Sequence, residues 1–320
     1  MKLDFRKKIL LLFFILFIVI IFGIIKGSVN IPFGELLQRQ NQAILKLRLL
    51  RISVAAIAGC GLAVSGIVLQ AILRNSLADP YLLGTSSGAG LGAVVAIILG
   101  ASRIYLPLAA FLGAILSILL VYNLAKQNNK IPEQSLILSG VVISVAFSAI
   151  IVFLISMSGN EELRGMTWWL WGSLQVYDLK LFSIVSIIVI LGAIAIYIFS
   201  QDLNAIAIGE EEAIHLGIDI ESVKKILILI SSLITASLVC ILGIIGFVGL
   251  MIPHLMRMIV GPNHRVLIPT TCLSAAIFMI LSDILSRTLF PPLEIPIGVI
   301  TAIFGAPVFM ILLKRSQKIK

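Results

Sequence analysis

Charge is scarce in this chain, and so are the residues that hold metals and disulfides. Only three cysteines, Cys60, Cys240 and Cys272, and three histidines, His215, His254 and His264, occur among 320 residues. The cysteines lie apart in apolar stretches without paired spacing, which excludes a disulfide framework and a Cys-x-x-Cys zinc site. No His-x-x-x-His pattern occurs, so no metal site is expected. No G-x-x-x-x-G-K-S/T loop is present either, so the chain cannot cradle a nucleotide in the P-loop manner, and ATP use would have to come from a partner. No nucleic-acid partner is expected. Charged residues make up 12% of the chain against 60% apolar, with a mean hydropathy of +1.14. Such a composition excludes a mostly water-facing surface and leaves a polytopic membrane protein.

Crossing about 30 Å of hydrocarbon takes roughly 20 apolar residues per helix. Proline, glycine and charge breaks divide the chain into ten such stretches: 8–26, 49–73, 82–100, 104–124, 134–157, 181–200, 226–244, 252–261, 267–287 and 296–314. The first follows Lys2, Arg6, Lys7 and Lys8 without a small-residue cleavage site, and is expected to be a retained helix rather than a signal peptide. The expectation is an all-α membrane domain over 1–320, with both termini on one side. Placing them in the cytoplasm puts about fifteen of the 24 basic residues inside. Lys46, Arg48, Arg51 and Arg287 then fall at the outer face, against the charge rule, and an outward basic cluster suits an acidic partner.

Gly84-Thr85-Ser86-Ser87-Gly88 matches the G-x-S-x-G pattern of hydrolase nucleophile elbows, but it opens an apolar helix instead of following a sheet strand. Gly84, Gly88 and Gly92 recur every four residues, so close helix packing is the better reading. The longest polar segment on the presumed inner side is 202–225. In it Ile206, Ile208, Ala213, Ile214 and Leu216 alternate with Glu210, Glu211 and Glu212, consistent with two short helices broken at Gly209 and Gly217. It is either a docking surface or a solvated linker. Trp168, Trp169 and Trp171 are expected to form an interfacial belt.

Several motifs in order resemble the permeases of the FecCD/BtuC type over almost the whole chain. They are Arg48-Leu49-Leu50-Arg51, Gly66 to Gln70, Arg74-Asn75-Ser76-Leu77-Ala78-Asp79-Pro80, and Leu83-Gly84 with Gly88-Ala89. Further on come Glu211-Glu212-Ala213 with Leu216-Gly217, then Gly246-Phe247-Val248-Gly249-Leu250 with Pro253, His254 and Arg257. Asp283 and Arg287, Glu294 to Thr301, and Gly305 to Phe309 complete the series. Leu50 and Ser76 stand where the family has proline, which loosens two local turns without removing a charge.

The resemblance implies a type II ABC importer permease of about ten helices, paired with a second permease subunit, expected to be a homodimer. Two ATPase subunits would carry the ATP and Mg, and an extracytoplasmic binding protein would sit above. It implies that Arg48, Arg51 and Arg287 dock the binding protein, and that Ile206, Ile208, Gly209, Glu210, Glu211, Glu212, Ala213, Leu216 and Gly217 meet the ATPase. It also implies a path between the fifth and tenth helices, with Asn75 and Leu77 near the cytoplasmic mouth and Ser139, Gly140 and Thr301 along it. The competing class is an ion-driven secondary transporter, which would need mid-membrane acids and two matching halves. Asp79, Asp283 and Glu294 fall near helix ends instead, and no acid, base and nucleophile converge as in an enzyme. Siderophore, haem and cobalamin permeases share these motifs, with iron chelates the first expectation on breadth of family use.

Overall fold

A computed structural model describes residues 5–29, 31–36, 38–102, 104–128 and 130–317, and no strand occurs among them. The helices are α1 (Phe5–Ile25), α2 (Phe33–Leu36), α3 (Gln42–Ile72), α4 (Thr85–Ile98), α5 (Tyr105–Ala125), α6 (Glu133–Ser156) and α7 (Asn160–Leu170). They continue with α8 (Leu179–Ile198), α9 (Ser200–Ile208), α10 (Glu210–His215), α11 (Ile220–Leu242), α12 (Val248–Val260), α13 (His264–Thr288) and α14 (Ile297–Gln317). Each of the ten apolar stretches is a helix. Seven are long and apolar enough to cross a membrane, while Thr85–Ile98, Val248–Val260 and Ile297–Ile311 are shorter. Lys2, Lys318 and Lys320, counted in the charge bias, lie outside the described residues.

Residue type sorts the helices into an inner and an outer set. α3 carries Ala55, Ala58, Gly59, Gly61, Ala63, Ser65 and Gly66, and α11 carries Ser231, Ser232, Thr235, Ala236 and Ser237, all buried. Small and hydroxyl side chains let helices approach and bond across the gap where lipid provides no hydrophobic drive. Accordingly the Ser65 hydroxyl donates to the Ser231 carbonyl at 3.2 Å. α13 packs along α3, with Gly59 against the Ala275 backbone. α1, by contrast, is Leu, Ile and Phe on every side and leaves Leu10, Phe13, Phe14 and Phe17 exposed, as a lipid-facing helix should.

Gly88 and Gly92 of α4 meet the Gly113 and Ala109 carbonyls of α5, too close for any Cβ, so these two glycines hold the helices backbone to backbone. Gly84 differs from them. It faces Ser117 of α5 with no room for a Cβ, and it also adopts φ +72° as the N-cap of α4, a turn position that favours glycine, so it serves both the packing and the turn. Cys60 and Cys272, distant in sequence, bring their free thiols together between α3 and α13. The tertiary fold pairs them where spacing showed nothing.

Two irregular segments, 73–84 and 243–247, meet inside the bundle. Irregular backbone is tolerated at membrane depth only where protein satisfies its polar groups. The Gln70 amide donates to the carbonyls of Ala78 at 3.3 Å and Leu250 at 3.1 Å. The Tyr81 hydroxyl donates to the Ile245 carbonyl at 3.1 Å and accepts from its N–H at 3.2 Å. Tyr81→Phe keeps the ring but orphans both groups, and is expected to cost about 1–3 kcal/mol. A thermal midpoint equal to wild type in detergent would rule that role out.

Candidate functional site

The candidate docking and coupling side chains gather at two opposite ends of the bundle. At the end where α1 begins, the Lys8 ammonium donates to the Ile259 carbonyl at the close of α12, and Arg74 pairs with Glu133 at 2.8 Å. α9 and α10 form a bent hairpin here. Asn204 of α9 accepts from the His264 N–H at 2.8 Å and contacts His264 Nδ1 at 2.7 Å, which fastens the hairpin to the start of α13. Asp219 caps α11 on the Ser222 amide, and the Ser222 hydroxyl and amide hold its carboxyl below the usual carboxylate range.

Ala205 and Ala213 of the hairpin are buried together against Ile220 of α11, while Leu203 and Ile206 are also buried, Leu203 in the main core. The remaining large apolar residues point away: Ile208 is 73% exposed and Leu216 71%, with Ile214 beside them and Glu211 and Glu212 between. The side chain of Glu210 lies outside the described residues. Thus the segment 202–225 resolves into the two short helices that its glycines suggested, but α11 starts at Ile220, earlier than expected, and Lys224 is buried within it. Ile206 and Ala213 are buried and are not part of the hairpin's surface.

At the opposite end the three outer arginines cluster, but they do not stand free. Arg48 is 4% exposed, and its guanidinium donates to the carbonyls of Ile24, Ile25 and Val29 at the end of α1. Arg51 turns its Nε and Nη2 to Asp283 Oδ1 at 3.0 and 2.8 Å, and its Nη1 to both oxygens of Glu294 at 2.7–2.8 Å. Arg287 closes on Asp283 Oδ2 at 2.9 Å from one turn along α13. The outward basic cluster is therefore largely paired within the chain. Asp283 and Glu294, more than 230 positions away from Arg51, neutralise much of it. Arg48, Arg51, Arg287 and Glu294 line a cavity of about 350 Å3 walled by Val29, Ile44, Leu47, Leu50, Val176 and Tyr177.

The expected path residues separate. Asn75 and Leu77 are exposed near the α1-start end, with the Asn75 carboxamide oxygen accepting from the Leu77 N–H at 2.9 Å. Ser139, Gly140 and Thr301 do not open onto any path in this chain. Gly140 abuts the Leu82 carbonyl, the Thr301 hydroxyl donates to Gly298 at 3.1 Å, and all three are buried. Small residues serve close packing here, while the exposed faces of the same helices are apolar: Leu138, Val141, Val142 and Val145 on α6, and Val299, Ile303 and Phe304 on α14. The i, i+3, i+4, i+7 spacing of the α6 set was the signal that points to that face. Trp168 and Trp171, exposed and edge to face at 6.1 Å, close the unforeseen amphipathic helix α7.

The whole chain can be set beside known proteins. It is 39% identical over 272 residues to the cobalamin import system permease protein BtuC of Halobacterium salinarum, covering 85% of this chain and 73% of that protein. It is 36% identical over 312 residues to the molybdate import system permease protein MolB of Haemophilus influenzae, covering 94% and 92%. Its fold superposes with a TM-score of 0.88, at 34% identity, on an inward-facing metal-chelate type ABC transporter, covering 97% of this chain and 99% of that one. The model of the FecCD transport family matches residues 12–315, a span that takes in both polar ends and all the helices between them, and the chain belongs to that family.

Proposed function

We propose that this permease is the membrane-spanning subunit of an ATP-driven importer, working as a homodimer between two ATPase subunits and an extracytoplasmic binding protein. The observation that carries this reading is the α9–α10 hairpin, which offers Ile208, Ile214 and Leu216 to a partner from a base pinned at His264. Exposed apolar groups rimmed by carboxylates suit a protein groove better than water. Arg6, Lys7, Lys8, Arg74, Lys126, Lys130, Lys224, Lys225, Arg257 and Arg265 belong to the same side of the bundle, which favours placing that side in the cytoplasm. ATP and Mg then belong to the docked ATPase. The apolar faces of α6 and α14 are assigned to the second copy, with the path between them and Asn75 and Leu77 at its cytoplasmic mouth.

The cargo is a metal-containing solute delivered by the binding protein, with an iron chelate the first choice; relatives named for cobalamin and molybdate mark the breadth of the family. A tag on this chain, mild solubilisation of native membranes and mass spectrometry test the assembly. A co-purifying P-loop ATPase and ATP-dependent uptake in proteoliposomes are expected. Purification of the chain alone, with uptake driven by an ion gradient, would overturn the reading.

A further inference from the structure

The two sides of the Arg51 guanidinium are not equivalent. Its Nε and Nη2 are closed by Asp283, which is 0% exposed and is held from its other oxygen by Arg287. Its Nη1 carries Glu294, which is 26% exposed and lines the cavity together with Arg51, whereas Asp283 does not. Glu294 also accepts from the Gln175 amide at 2.8 Å, and Gln175 in turn accepts from the Tyr177 hydroxyl at 2.8 Å. This chain of contacts lies along one wall of the cavity.

Glu294 lies in the segment that leads into α14, with Ile295 and Pro296 between them. Behind it, Ile295 bonds back to Ser286, and the first turn of α14 is tied to the Trp171 and Gly172 carbonyls at 3.0 and 3.2 Å. The Arg51–Glu294 contact therefore adds to these ties a side-chain link from α3 to the segment that leads into α14, one of the helices assigned to the path.

We propose that Glu294 is a resident carboxylate, and that an acidic side chain of the docking binding protein replaces it on Arg51, loosening the outer end of α14. This rests on the reading of the outer face as the docking surface. A carboxylate flanked by apolar residues fits the chemistry of the cavity, with aliphatic walls above a guanidinium. Exchange costs little because one carboxylate succeeds another on the same nitrogen. The Asp283 side of the network stays closed throughout, so the fold is kept while the link to Glu294 is lost.

The test uses the assembled transporter in lipid nanodiscs and the binding protein that co-purifies with it. Wild-type affinity should fall as ionic strength rises. Salt-independent affinity would overturn the docking reading itself. Given salt dependence, Glu294→Gln removes the competing charge and reduces the ion pair to a weaker neutral hydrogen bond, and should tighten binding about fivefold. Spin labels at Leu49→Cys and Val299→Cys, in a background with Cys60, Cys240 and Cys272 replaced by alanine, read the α3–α14 distance. Resting E294Q should shift toward the distribution that wild type adopts when docked. Unchanged affinity or an unchanged distance in E294Q would overturn the exchange while docking stood.

Discussion

Asp283→Ala is expected to be the most destabilising single polar substitution in the chain, by about 3–5 kcal/mol, because it leaves the buried Arg287 and the inner edge of Arg51 without a counter-charge. Desolvation makes the penalty one-sided: two paired charges in apolar surroundings come near to breaking even, whereas an orphaned one does not. At a few degrees per kcal/mol for a chain of this size, the thermal midpoint in detergent should fall by roughly 10 °C. Replacing all three partners together, Arg51→Met with Asp283→Leu and Arg287→Met, should be far milder, since no charge is stranded. If D283A melted with wild type, or if the triple variant were the worse of the two, charge pairing would not be what holds α3 to α13. The same network makes Arg51→Glu a poor probe of docking. It would gather three carboxylates at one buried point and damage the fold before any partner arrived.

Much of this fold was legible because lipid imposes a length on its helices. Ten apolar stretches yielded ten helices, and the glycines at 209 and 217 marked the α9–α10 hairpin. The failures have a common cause. Sequence spacing reports neighbours along one helix, whereas Arg51 meets Asp283 and Glu294 across helices, and Cys60 meets Cys272 likewise. The charge rule therefore counted the arginines as free. Small residues were ambiguous for a similar reason: Ser139, Gly140 and Thr301 suit a smooth path and a tight contact equally, and only the packed neighbours decide. α7 escaped notice because its eleven residues are too few for a span and follow a polar stretch. α3 runs further outward than its apolar core because Gln42 to Arg48 are mostly good helix formers.

The second large effect is expected at the other end, where Ile214→Glu with Leu216→Glu should break ATPase association while sparing the permease. Both side chains are mostly exposed, so the fold loses little when they change. An interface built on a few apolar anchors loses 2 kcal/mol or more per anchor, roughly 30-fold in affinity. Pull-down of the ATPase should fail, and uptake with it, at an unchanged thermal midpoint. Leu203→Glu makes the contrast: buried in the base of the hairpin, it should lower the midpoint as well. Gly217→Trp tests the step after docking. Gly217 holds φ +77° with open space around it, so a tryptophan meets backbone strain of about 1–2 kcal/mol rather than a clash within the chain. It should tilt the hairpin in its groove, leaving ATP hydrolysis running without transport. A partner that binds two permease states equally drives neither, and a misplaced hairpin removes the difference on which ATP-driven closure acts. Wild-type uptake by G217W, or wild-type ATPase affinity in the double glutamate variant, would show that energy enters the permease elsewhere.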